Sequence, residues 1–184
     1  GDRFSSGELL KDEIAHRRPS GIMGLVMNTR HPAFADWRVR QAMIEAFNYQ
    51  FINMTLTGGT DPRITSYFAN SDLAMRPGAA GPEVAALLSP FASDLPEGAM
   101  DGYALPPGAA QALDRKGLRS ALALLKDAGW TIHDDGALRR EDGTPFAFDI
   151  VLNQSGSAMR SGSEVQRIVD VYVEALKHIG IRPR

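Results

Sequence analysis

The apolar positions along the chain form patterns of different period. Ile22-Met23-Gly24-Leu25-Val26-Met27 is a nearly unbroken apolar run closed by Asn28, which predicts a strand covered on both faces. Pro32 stops it, and Asp36 is a good helix N-cap. Val39, Ala42, Met43, Ala46 and Phe47 then recur at helical spacing, with Arg38, Arg40, Gln41 and Glu45 on the opposite face. A second helical stretch from about residue 50 to 56 ends at Gly58-Gly59. Further on, Leu118, Ala121, Leu122, Leu125 and Ala128 make a helical stripe stopped by Gly129. Trp130 to His133 predicts a strand, Asp134-Asp135-Gly136 a turn, and Leu138 the start of the return strand. Phe146 to Leu152 predicts another strand, apolar on both faces. A polar loop, 153–163, leads to a last helix with its stripe at Val165, Ile168, Val169, Tyr172, Ala175, Leu176 and Ile179. Gly180 ends it, and Ile181 begins one more strand.

Two regions break this regularity. Residues 1–20 are polar and mixed, with a weak alternation from Lys11 to Arg17 that fits an edge strand. Residues 60–112 form a proline-rich irregular excursion. Within it, Pro82 to Leu88 predicts a short helix with proline in the first turn, and Phe91 to Leu95 a further turn. Tyr67, Phe68, Leu73 and Tyr103 are expected to pack the excursion down, because such aromatics are uncommon in a disordered linker. The element order predicts a single α/β domain over 1–184, a mixed sheet flanked by helices.

Composition narrows the function classes. Hydrophobic residues make up 43% and charged residues 23% of 184 residues, ordinary for a globular fold. The net charge of −2 leaves no basic face for nucleic acid. Arginine dominates the basic residues, which reads as genome composition, not phosphate binding. With no cysteine there are no disulfides, thiolate metal sites or thiol nucleophiles. No apolar run is long enough to span a membrane, so no membrane insertion is expected. The abrupt polar start, without a signal-peptide pattern, leads us to expect part of a longer protein.

Little catalytic chemistry is visible. His16, His31, His133 and His178 lack metal-ligand spacing. Thr57-Gly58-Gly59-Thr60 lacks the lysine and preceding strand of a phosphate loop and reads as a helix C-cap. Asp134, Asp135, Glu141 and Asp142 read as two polar turns, not a calcium loop. Ser155, Ser157, Ser161 and Ser163 have no histidine placed as a base. A loop at the carboxyl end of a buried strand can nonetheless contact a ligand. No enzyme activity, cofactor or metal is expected.

Gly24-Leu25-Val26-Met27-Asn28-Thr29-Arg30-His31-Pro32-Ala33-Phe34-Ala35-Asp36-Trp37-Arg38-Val39-Arg40-Gln41-Ala42 resembles the second-lobe signature of the family 5 extracellular solute-binding proteins. These serve ABC importers of peptides, nickel and related solutes. The family pattern is an apolar strand, Asn, a proline turn ending in Phe, then Asp-x-Arg-Val-Arg-x-Ala; Ala33 stands where a second proline is common. Thr65 to Ala74, Leu122 to Trp130 and Leu176 to Ile181 extend the likeness to the peptide and microcin-type branch.

The resemblance implies part of the second lobe of a two-lobed periplasmic binding protein. It implies a peptide or peptide-like solute held by lobe closure without catalysis, a membrane permease of an ABC importer as partner, a monomer, and a periplasmic or extracytoplasmic location. The implied ligand-binding residues are Gly24, Val26 and Asn28 on the strand, and Asn153, Gln154 and Ser155 on the loop. Gly24 and Val26 would act through backbone groups, as in strand addition. Asn28 has an alternative role as a turn cap. The other reading is an interaction or sensor module that reuses the fold.

Overall fold

The computed structural model describes residues 2–10, 12, 14–96, 98–153, 155 and 160–184. Its elements in order are α1 (Asp2–Ser5), α2 (Trp37–Glu45), α3 (Tyr49–Leu56), α4 (Pro82–Leu88), a 3-10 turn (Ser89–Phe91), α5 (Arg115–Asp127), β1 (Thr131–Ile132), β2 (Leu138–Arg139) and α6 (Gly162–Lys177). The chain divides into two units, Gly1–Gly24 with Ile64–Pro77, and Leu25–Arg63 with Gly78–Arg184.

The larger unit holds the core, and its helices begin where side chains satisfy the first free amides. Asp36 Oδ1 accepts from Arg38 N at 2.9 Å to open α2. Asp114 Oδ1 accepts from Lys116 N and Gly117 N to open α5. Ser161 and Glu164 form a reciprocal capping box at the start of α6. The predicted stripes then turn inward. Val39, Ala42, Met43 and Ala46 of α2 and its C-cap meet Leu118, Ala121 and Leu125 of α5 and Tyr172 and Leu176 of α6 in one buried cluster. α2 and α5 approach closely at Gly117, where an added Cβ would lie 2.5 Å from the Glu45 carbonyl oxygen. The buried Tyr172 hydroxyl donates to Met43 O at 2.9 Å, satisfying both groups.

The helices pack with a small sheet, as the α/β reading expects. β1 and β2 form an antiparallel hairpin with Thr131 opposite Arg139 and Ile132 opposite Leu138. Its turn is fixed by Asp135, which accepts from Ala137 N and pairs with Arg139 at 2.7 Å. Extended chain on either side is tied on by single bonds: Leu138 N donates to Gly180 O, and Phe146 N to Leu138 O.

Several predicted strands are not regular strands among the described residues. Residues 22–28 carry no regular structure, because a run becomes a strand only when its backbone groups find a ladder partner. Pro145 makes an isolated bridge with Arg139, and residues 146–152 make a pair of bonds around residue 149, from Ile150 N to Arg184 O and from Arg184 N to Phe148 O. No ladder forms between Lys11 and Arg17 either, where Lys11 and Glu13 lie outside the described residues. The helical turn expected at 91–95 begins earlier, as Ser89–Phe91.

The packing predicted for the excursion is also corrected. Tyr67 and Leu73 are each 73% exposed, and Phe68 and Tyr103 are exposed as well. Polar bonds hold these segments where apolar burial was expected to. In the smaller unit, where no described residue is buried, Asn70 Nδ2 donates to His16 O and Arg18 O. Ser20 N donates to Ala69 O at 3.0 Å, and Arg17 pairs with Asp72. Asn70 sits at φ 66°, a conformation that asparagine tolerates better than most residues. In the larger unit, Asn48 and Arg63 tie the 106–112 segment to α3.

Candidate functional site

The segment from Leu25 to Asn28 enters the larger unit as bare backbone. Among the described residues, the N–H and C=O groups of residues 25–27 form no hydrogen bond, and Val26 is 96% exposed. At Asn28 the chain turns. Asn28 Oδ1 accepts from Arg30 N at 3.2 Å, and its carbonyl accepts from His31 N at 2.9 Å. Asn28 is therefore a turn cap, yet its Nδ2 donors stay free of described partners. His31 Nδ1 accepts from Ala33 N. The turn delivers Phe34 into the core, where its ring meets Phe148 at 5.0 Å and Phe146 at 6.1 Å, both edge-on.

That aromatic contact links the chain after the first predicted site segment to the chain before the second. The chain running on from Phe148 reaches Val151, which is 90% exposed, and Leu152, whose backbone groups also lack described partners. Asn153 Oδ1 accepts from Ser155 N at 3.0 Å, so it too caps a turn. Val26 and Asn28 lie on the chain leading to Phe34, and Asn153 and Ser155 on the chain leaving Phe148. Gly24 belongs to the smaller unit, where it is exposed and an added Cβ would meet nothing within 4 Å. Gln154 lies outside the described residues.

A polar cluster of the larger unit was missed in the sequence. Tyr49, at the start of α3, donates to Asp61 O at 2.9 Å. The Asp61 carboxylate pairs with Arg160, which also lies near Glu164. Arg63 lies with its guanidinium carbon 5.2 Å from the Tyr49 ring centroid and donates to Pro106 O. Tyr103 donates to Gln41 Oε1 at 2.9 Å, and Gln41 Nε2 in turn donates to Glu45 Oε1 at 3.1 Å. Burial raises the Tyr49 and Tyr103 hydroxyl pKa values and lowers that of Arg63. The signal available was the arginine bias itself, because Arg63 and Arg160 are two of the residues we attributed to genome composition.

This arrangement can offer backbone donors and acceptors, amide groups and cations. Among the described residues, no group of three His, Asp or Glu is placed to hold a metal ion. No helix is long and apolar enough to cross a membrane.

The profile of the bacterial extracellular solute-binding proteins, family 5 (middle region), matches residues 5–184. The peptidoglycan-binding protein YepA of Agrobacterium fabrum is 34% identical over 176 residues, covering 95% of this chain and 27% of YepA. A probable peptide-binding protein, YejA of the same organism, is 30% identical over 95% of this chain and 28% of its own length. The chain thus spans about a quarter of the curated relatives it matches. The crystal structure of NikA from Brucella suis in complex with Fe(III)-EDTA superposes with a TM-score of 0.50 at 22% identity, over 85% of this chain and 24% of NikA. That likeness supports the fold, a part of the α/β architecture of binding proteins. With the family profile covering nearly every residue, this chain belongs to the bacterial extracellular solute-binding proteins, family 5.

Proposed function

We propose that this chain forms part of the second lobe of a periplasmic or extracytoplasmic solute-binding protein that feeds a membrane permease of an ABC importer. The solute is a peptide or a peptide-bearing molecule, and lobe closure captures it without covalent chemistry. The observation that carries the peptide reading is the bare backbone of residues 25–27, a stretch whose N–H and C=O groups have no partner among the described residues. An extended solute can pair with such a stretch by main-chain hydrogen bonds, which tolerate side-chain variation. Asn28 Nδ2 and the turn at Asn153 would then flank the solute. The names of the relatives support the same chemistry, since peptide-binding and peptidoglycan-binding proteins both meet peptide groups.

The test is calorimetry on the intact protein with a panel of di- to pentapeptides and a peptide-bearing peptidoglycan fragment. Micromolar binding of several members is expected. No binding across the panel, alongside tight binding of a metal or sugar, would overturn the assignment. Val26→Pro probes the backbone role. It removes an N–H that has no partner in the described structure and leaves an exposed position exposed. Peptide affinity should fall about three- to tenfold, the worth of one hydrogen bond, while V26A binds as the parent does.

A further inference from the structure

Trp37 is a large aromatic side chain left 41% exposed in the first turn of α2. With Arg40, Ser93 and Asp94 it lines an open cavity of about 700 Å³ in the larger unit. None of the residues assigned to the solute lines this cavity. Its polar groups are only partly used within the chain. Arg38 also lines it, but that guanidinium is engaged by the Asp36 carboxylate and by Asp127 O. Arg40 donates through one Nη to Phe34 O at 2.8 Å and to Ala35 O at 2.9 Å. Its Nε and other Nη, the Asp94 carboxylate and the Ser93 hydroxyl have no partner among the described residues.

We propose that this cavity binds a sugar, with one face of a pyranose ring stacked on Trp37. The charges around the cavity balance, because Asp36 offsets Arg38 and Asp94 offsets Arg40, so neither an anion nor a cation is selected. A purely apolar ligand would cover the free polar groups without giving them partners, at a cost. A sugar hydroxyl both donates and accepts. Neighbouring hydroxyls of one ring can therefore accept from Arg40 and donate to Asp94. The C–H groups on the face of the ring carry slight positive charge, which suits the negative face of the indole. A free amino acid could offer its ammonium to Asp94 and its carboxylate to Arg40, but Asp94 is exposed, and exposed ion pairs gain little in water. The ring can come from a free saccharide or from a glycan chain, and the shared chemistry is a neutral pyranose with an apolar face. This site stands whether or not residues 25–28 take a peptide.

The experiment is a saturation-transfer NMR titration of the intact protein with glucose, N-acetylglucosamine and its dimer chitobiose, each with and without excess tri-alanine. At least one sugar should bind, and the peptide should not displace it. Trp37→Ala should weaken that sugar about tenfold, the worth of one aromatic contact, and W37F, which keeps a ring face, should recover most of the loss. Asp94→Ala should weaken it about three- to tenfold, the worth of one hydrogen bond to a charged group. Asp94 is exposed and its carboxylate holds nothing within the described chain, so D94A tests the site even if W37A does not fold. Tighter binding of chitobiose than of N-acetylglucosamine supports the assignment with a glycan chain as the source, and equal binding supports it with a free monosaccharide. Failure of all three sugars to bind overturns the assignment, as does binding that D94A and W37F both leave unchanged. Displacement of the sugar by tri-alanine overturns it as well, because it moves the sugar to the solute's site. Tighter binding of free phenylalanine than of any sugar, lost in D94A, would replace the sugar with a zwitterion.

Discussion

Asn48 is the buried polar residue on which α3 and the 109–112 segment both depend. It is 3% exposed. Its Oδ1 accepts from Phe51 N at 3.3 Å, capping α3, and from Ala109 N at 2.9 Å. Its Nδ2 donates to Gln111 O at 2.8 Å and Ala112 O at 3.4 Å. Asn48→Ala removes the cap, worth about 1 kcal/mol. It also leaves the Ala109 N–H and the Gln111 carbonyl short of a partner, at about 1 kcal/mol or more each. The expected loss is about 3 kcal/mol, or about 6–12 °C in melting temperature for a chain of this size. Urea titration gives the total, and hydrogen exchange at the Phe51 and Ala109 amides locates it. A loss under about 0.5 kcal/mol with unchanged exchange at both amides would refute the accounting.

Asn48→Asp separates cap from donor. It keeps an acceptor for Phe51 N and Ala109 N but turns a carboxylate oxygen toward two carbonyls. Burial and that repulsion raise the folded pKa of the introduced carboxyl above its unfolded value of about 3.9. The protonated group can still donate to Gln111 O. Its stability contribution is therefore fully present below about pH 4 and lost as pH rises through the folded pKa. Relative to N48A, the aspartate variant should be the more stable at pH 4 and should lose that advantage by pH 7. A difference between them that does not change with pH would contradict the geometry.

Gly117→Ala sets helix propensity against contact: propensity favours Ala by about 1 kcal/mol, but the added methyl would press on Glu45 O, so urea titration should show a net loss of about 1–2 kcal/mol, and a gain would refute the contact. The Arg38 guanidinium beside Asp36 holds its carboxyl below the usual range. A depressed folded pKa means stability present above the unfolded value near 3.9 and lost as pH falls through the folded pKa; D36N keeps the cap, so the parent should exceed it by under about 1 kcal/mol at pH 6 and by nothing at pH 2, and a gap constant across that range would refute the ion pair. Trp130 Nε1 is buried without a hydrogen-bond partner among the described residues, so W130F should cost under about 1.5 kcal/mol in a thermal melt where W130A costs about 3–5, and equal costs would refute the orphaned donor.

Local signals were legible wherever one residue decides one structural outcome. Asp36 opens α2, Pro82 opens α4, and the alternation of apolar positions in α2, α5 and α6 gives the faces that are buried. Each of these depends on residues within a turn or two of each other. The hairpin expected at Trp130 and Leu138 formed as β1 and β2, whereas the strands expected at 22–28 and 146–152 failed for the complementary reason. Residues 22–28 and 146–152 have the composition of buried strands, but pairing is a property of two segments, and composition reports only one.

The polar cluster illustrates a deeper limit. Asp61, Arg63, Tyr103 and Arg160 themselves lie outside the regular elements and come from distant parts of the chain, so no spacing rule joins them. They meet because Asn48 holds the 109–112 segment against α3, and Pro106 lies in the same stretch as the residue Arg63 reaches. The excursion was expected to be pinned by its aromatics; it is pinned by an asparagine and an arginine instead, and Tyr67, Phe68 and Leu73 remain exposed. Polar pins satisfy backbone groups at a few points and leave the intervening chain free to vary in sequence. A loop built that way can change its lining without losing its path. Asn48 and Arg63 therefore divide the work between them. The asparagine has both side-chain polar atoms engaged within the chain, whereas the arginine reaches across to Pro106 O with one of its five donors.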